Sequence, residues 1–150
     1  MQLVPYVSVA GAAGDDPELN AIAHEVGALL AERGCVVVTG GLGGVMDAAM
    51  AGAASRGGSS LGIVPGAERA HASPHATMVV ASGAGQARNL AVAATGDGMI
   101  AIGAGWGTLS EVALARKLGR PVVSILGHPL EGVSAAPDAA TAVAMLLELI

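Results

Sequence analysis

The sequence predicts an α/β protein, a doubly wound three-layer sandwich on a mainly parallel sheet. Three observations carry that expectation. Short apolar, β-branched runs alternate along the chain with longer stretches of helical periodicity. The strand-like runs are apolar throughout, as strands covered on both faces are. Glycine clusters follow them at 11–14, 40–44, 83–85 and 103–107, and a parallel sheet gathers all such strand-to-helix turns on one edge.

The first strand is expected at 4–10, ending in a turn at Gly11 and Gly14. A helix then opens with Asp16 as N-cap, Pro17 at its first position and Glu18 complementing the dipole. Leu19, Ile22, Val26 and Leu29 share one face of it, and Gly34 stops it. A strand at 35–39 feeds Gly40, Gly41, Gly43 and Gly44, and a second helix closes near Gly57 and Gly58. Val45, Met46, Ala49, Met50 and Ala53 of that helix are available to the sheet.

The third strand, at 60–64, ends at Pro65 and Gly66. Residues 67–76 show no period and read as a loop, a candidate lid. A fourth strand at 77–81 leads through Ser82–Gly85 into a helix reaching about Thr95. The fifth strand, 98–102, is followed by a helix from Thr108 to about Leu118, which Gly119 stops. A sixth strand at 121–126 and a turn-rich connection lead to a last helix at 139–150, capped by Asp138. Right-handed crossovers then give a Rossmann-like sandwich, expected as a single domain over 1–150.

Composition narrows the function. Apolar residues make up 53% of the chain, yet it has no Phe, one Tyr and one Trp, so small side chains must fill a tight helix-on-sheet core. The formal charge is −5 and Lys117 is the only lysine, which argues against a nucleic-acid or anionic-membrane surface. The N-terminus enters a strand directly, without the basic and apolar regions of a signal peptide. No apolar run approaches the ~20 residues a membrane helix requires. The lone Cys35 opens a buried strand, fitting a reduced thiol and a cytoplasmic location.

The stretch 101–111 concentrates the chemistry. A strand end, the turn Gly103, Gly105 and Gly107, and a helix start carrying Thr108 and Glu111 make an anion site from free amides and a helix dipole. A dinucleotide is disfavoured, because the first turn lacks the G-x-G-x-x-G spacing and Thr39 stands where a ribose-binding acid is expected. None of the turns carries the Lys-Ser/Thr pair of a P-loop. A mononucleotide or another small phosphate-bearing molecule remains.

Two of these turns resemble those of a known family. Gly103-Ala-Gly-Trp-Gly-Thr-Leu-Ser-Glu111 resembles the PGGxGTxxE signature of the LONELY GUY (LOG) phosphoribohydrolases, once named lysine decarboxylases. Thr39-Gly-Gly-Leu-Gly-Gly-Val-Met46 resembles that family's other glycine turn, and Arg88 lies in the region of its catalytic arginine. Gly103 and Ala104 replace the motif's Pro and first Gly, and Asn89 follows Arg88 where the family has Lys. With Gly83, Gly85 and Asn89, the chain is similar to a short branch that includes molybdenum cofactor carriers, which bind a phosphate-bearing pterin without transforming it.

The resemblance implies that Arg88 and Glu111 are catalytic in a hydrolase, or positioning in a carrier. Gly40, Gly41, Gly43, Gly44, Gly105, Trp106, Gly107 and Thr108 would hold the phosphate, with Gly11, Gly85 and Asn89 in supporting places. It implies a bound nucleotide, phosphate or molybdenum cofactor without a required catalytic cofactor, and a homodimer or higher oligomer. In a hydrolase, a carboxylate stabilises the oxocarbenium-like state and orients water, while an arginine fork holds phosphate or ribose. Bland alternatives stand beside these roles. Thr108 and Glu111 also spell a capping box, Trp106 suits packing or a dimer contact, and Asp97 suits a turn. His71 and His75, separated by Pro74, read as solvated loop residues rather than metal ligands.

Overall fold

The computed structural model describes residues 3–150. Seven strands form one sheet in the order β4-β3-β2-β1-β5-β6-β7, and every neighbouring pair is parallel. The strands are β1 (Tyr6–Gly11), β2 (Val36–Thr39), β3 (Ser60–Val64), β4 (Met78–Ala81), β5 (Gly98–Ile102), β6 (Val122–Ile125) and β7 (Ser134–Ala135). The helices are α1 (Pro17–Glu32), α2 (Val45–Ser55), α3 (Arg88–Thr95), α4 (Trp106–Lys117) and α5 (Ala139–Leu149). The expected class holds. β7 was not anticipated: it is two residues long and lies in a turn-rich segment with no period to betray it.

The caps read from sequence are made. Asp16 Oδ1 accepts the Leu19 amide at 3.2 Å, and Asp138 Oδ1 accepts the Thr141 amide at 2.8 Å. Asp97 accepts the Tyr6 amide at 2.9 Å and so fastens the turn before β5 to the start of β1.

Helices α1, α2 and α5 cover one face of the sheet, burying Leu30, Ile100, Ile102, Ile125 and Leu146 among many valines and alanines. The other face lies under α3 and α4, with Met99, Val112 and Val122 in one cluster and Val38, Ile63 and Val92 in another. Each fully buried Leu or Ile side chain stabilises the fold by roughly 1.5–3 kcal/mol. The small-residue composition has a visible consequence where α1 meets α2. A β-carbon on Gly27 would strike the Ala49 carbonyl, and one on Gly52 would strike that of His24, so the two helices pack backbone to backbone. Cys35 is buried at the entry to β2, and burial pushes its thiol up from its ordinary value.

From β1 the chain steps outward to β4, then returns through α3 to lay β5 on the other side of β1. That reversal puts a crevice beyond the carboxyl ends of β1 and β5, the place where doubly wound sheets bind ligands.

Candidate functional site

A cleft of about 400 Å³ opens at this crevice. Gly11, Ala12 and Ala13 after β1 form one wall, and Gly105, Trp106, Gly107, Thr108 and Glu111 of α4 form another. Gln86, Arg88 and Asn89 enter from the start of α3, and Leu42 and Met46 close the side nearest β2. A larger hollow of about 680 Å³ lies at the opposite edge of the sheet, between Leu3, Arg33, Asp97 and Ile150. All four of those residues are exposed and Asp97 is already engaged by Tyr6; the buried Cys35 also lines this hollow, but no buried charged group among the described residues does.

Helix α4 begins at Trp106 with Gly105 as its N-cap, two residues before the expected start at Thr108. Gly105 is extended (φ −69°, ψ 161°), and the first intrahelical bond runs from the Leu109 amide to the Gly105 carbonyl at 2.9 Å. Thr108 is therefore the third helical residue, and Glu111 sits nearly a turn further in. The capping-box alternative falls, since no side chain caps this helix. Both residues face inward instead, Thr108 at 4% and Glu111 at 8% exposure. The amides of Trp106, Gly107 and Thr108 have no partner within the helix.

Arg88 opens α3 and is also buried, at 8% exposure. Its Nη1 donates to Asn89 Oδ1, while its Nε is buried without a partner. The guanidinium lies on Gly40: a β-carbon there would stand 2.9 Å from Nη2 and 2.8 Å from Met46 Sδ. Burial pushes the Arg88 pKa down, and the negative charge of Glu111 opposes that. Burial raises the Glu111 carboxyl to about 7, against the pull of Arg88. Arg88 is the one cation among the cleft-lining residues, in a chain of net charge −5.

The structure thus gathers Gly11, Arg88, Asn89, Gly105, Trp106, Gly107, Thr108 and Glu111 around one cleft. It places the other predicted glycines elsewhere. Gly40 is the seat of the Arg88 guanidinium, and Gly41 is packed against Val64. Gly44, at φ 62°, lies so close to the carbonyls of Ala12 and Gly14 that any side chain would collide with them. The Val45 amide, first of α2, donates to the Ala12 carbonyl at 3.0 Å and is spent on the fold. Gly43 faces a separate hollow with Asp47, His71, Ser73 and His75, and Gly85 is exposed in a short 3₁₀ turn off the cleft. Gln86, Leu42, Met46, Ala12 and Ala13 were not anticipated. Met46 sits at the second position of α2 with a helical period pointing to the sheet, and the others carry no motif.

Residues 67–76 do not cover the cleft. Ser73 Oγ donates to Asp47 Oδ1, His75 Nδ1 lies 2.9 Å from the same oxygen, and the Ser73 amide donates to the Gly41 carbonyl at 2.8 Å. Burial pushes the Asp47 carboxyl up, but the hydrogen bonds from His75 and Ser73 outweigh it and hold it below its ordinary value. The segment is pinned to the 40–44 turn, which corrects the expectation of a lid.

The comparisons with known proteins agree with this architecture. The profile described as LDcluster4, SLOG cluster4 family, matches residues 4–146. An uncharacterized protein of Archaeoglobus fulgidus is 41% identical over 119 residues, 79% of this chain and 78% of that one. The molybdenum cofactor binding protein of Rippkaea orientalis superposes with a TM-score of 0.93 at 30% identity, covering 99% of each chain. The molybdenum cofactor carrier protein of Chlamydomonas reinhardtii superposes with a TM-score of 0.91 at 32% identity, covering 98% of each. No helix among the described residues is long and apolar enough to cross a membrane.

Proposed function

The chain belongs to the SLOG cluster4 family, and from that premise we propose that it binds a small phosphate-bearing molecule in the α3–α4 cleft. The supporting observation is the buried Arg88, whose Nε has no partner, beside the uncapped start of α4. A buried guanidinium with an orphaned donor costs stability unless an anion completes it. The amides of 106–108 and the positive end of the α4 dipole add to the same attraction. The cleft volume of about 400 Å³ falls within the roughly 300–1,000 Å³ typical of small-molecule sites. A phosphorylated pterin such as the molybdenum cofactor, carried by the structural neighbours, is the ligand that this reading favours. Here it is cargo: Arg88 and the α4 amides hold its phosphate, and the protein needs no step of chemistry on it.

A second reading is favoured by Glu111. A carboxyl titrating near neutrality beside an anion-holding arginine suits a general acid or base in hydrolysis of a nucleoside 5′-monophosphate. Thr108 and Arg88 would hold the phosphate, and Glu111 would take a proton from water and stabilise charge on the ribose.

One experiment separates the two. The protein is incubated with AMP, and adenine and ribose 5-phosphate are assayed, while melting is followed with AMP, 6-hydroxymethylpterin phosphate and inorganic phosphate. Ligand-raised melting that Arg88→Met abolishes, without turnover, supports the carrier. Turnover lost in Glu111→Gln establishes the hydrolase. No shift by any phosphate-bearing probe together with no turnover of AMP overturns both.

A further inference from the structure

Trp106 is the only tryptophan of the chain, and it is 87% exposed. It stands at the first position of α4, so its backbone is fixed by the helix while its indole projects into solvent. Its neighbours leave it bare. Gly105 and Gly107 on either side of it carry no side chain that could shield the ring. An exposed indole forfeits the apolar burial that usually keeps Trp in place, and neither the core nor the helix start requires one here.

The indole also divides two spaces. On one side lies the cleft of Arg88 and Glu111, and on the other a hollow of about 230 Å³ lined by Ala104, Gly105, Leu109 and His128. This second hollow has one flat apolar wall in Trp106, an aliphatic one in Leu109, and one imidazole capable of hydrogen bonding. His128 is delivered by the segment after β6, two residues beyond Leu126, which at φ 54° is the one non-glycine among the described residues with positive φ. The two spaces meet over Gly105, which has no side chain to separate them.

We propose that Trp106 and His128 form a ring subsite, in which a planar bicyclic heteroaromatic group stacks on the indole while its phosphate arm reaches Arg88. This rests on the phosphate-binding reading above and adds where the ring of a pterin or nucleobase phosphate is held, a hold that a bare sugar phosphate lacks. Stacking supplies affinity without selecting one base, because every such ring offers a π-face. His128 supplies an edge contact that distinguishes rings by their donors and acceptors.

The lone indole is its own reporter. Tryptophan fluorescence and calorimetric affinity are followed with AMP, 6-hydroxymethylpterin phosphate, ribose 5-phosphate and inorganic phosphate, in wild type, Trp106→Ala, Trp106→Phe and His128→Ala. The ring-bearing probes are expected to quench the indole and bind about tenfold tighter than ribose 5-phosphate. Trp106→Ala removes that advantage and Trp106→Phe restores most of it. His128→Ala changes the ratio of pterin to nucleobase affinity. Ribose 5-phosphate binding with no advantage for the rings and no quenching overturns the subsite and leaves the phosphate site standing. Loss of self-association in Trp106→Ala, with ring affinity intact, overturns it in favour of a contact between copies. Failure of every phosphate-bearing probe to bind overturns the subsite together with the phosphate site.

Discussion

The turn before α2 and the turn before α4 look alike in sequence, each a strand end, several glycines and a helix. In the fold they are opposites. Around Gly44 the glycine space is filled by the carbonyls of the 12–14 segment, and the first amide of α2 is donated to Ala12. A β-carbon on Gly105 or Gly107 would meet no atom beyond its chain neighbours and its own helix backbone within 4 Å, both lie outside the positive-φ region, and no side chain caps α4. One set of glycines is demanded by packing. In the other, Gly103 is held by its left-handed backbone at φ 89°, while no packing contact requires glycine at Gly105 or Gly107. Glycine richness alone therefore does not mark a binding turn.

The largest effect that could break this contrast is on stability. Gly44→Val should cost about 3 kcal/mol or more, through both the left-handed backbone and the collision with Ala12, read from chemical denaturation. A mild cost would mean that the 40–44 turn is as open as its partner.

Glu111 comes next, through pH. Its folded pKa of about 7 lies above the ordinary 4.5, so the fold binds the proton more tightly than the unfolded chain. Stability attributable to this group is full below 4.5, falls as pH rises toward 7, and is flat above. Across those 2.5 units (7 minus 4.5) the loss is about 3 kcal/mol. Glu111→Gln should abolish that slope and be the more stable protein above pH 7. An unchanged slope would mean that Glu111 is solvated.

Arg88→Met sharpens the contrast from the ligand side. It should weaken binding of a phosphate-bearing probe about ten- to hundredfold, the worth of a charge-assisted contact, while stability falls because Asn89 loses its donor and Glu111 its opposing charge. Calorimetry beside a melting curve checks both halves. The smallest effect is expected from Gly105→Ser. A hydroxyl at the bare N-cap should raise stability by a few tenths of a kcal/mol, while its bulk in the cleft lowers affinity severalfold. A Ser at this position that costs stability would show that the turn is packed after all.

The fold was legible because its signals are local. Apolar runs, the Asp16 and Asp138 caps and the stopping glycines each act within a few residues, and only the two-residue β7 escaped. The site was legible in part. Arg88, Thr108 and Glu111 carry chemistry that reads from residue type, and the structure brings them to one cleft. What separates the two glycine turns is tertiary. Whether the space at a glycine is filled depends on the loop 12–14 docking beside it, and a sequence window does not contain that loop. The start of α4 was misplaced for a related reason, since Gly105 and Gly107 are poor helix formers and hid a helix that begins at Trp106.

On the proposed function, the α4 turn is open for a ligand. Gly107→Val tests it most directly, because Val is no worse a helix former than Gly and its β-carbon meets no atom outside its own helix there. The measurement is calorimetric titration of wild type and Gly107→Val with AMP and 6-hydroxymethylpterin phosphate, beside their melting curves. Equal or higher melting temperature with binding lost is expected. Binding as tight as wild type, in a protein that melts unchanged, would contradict it.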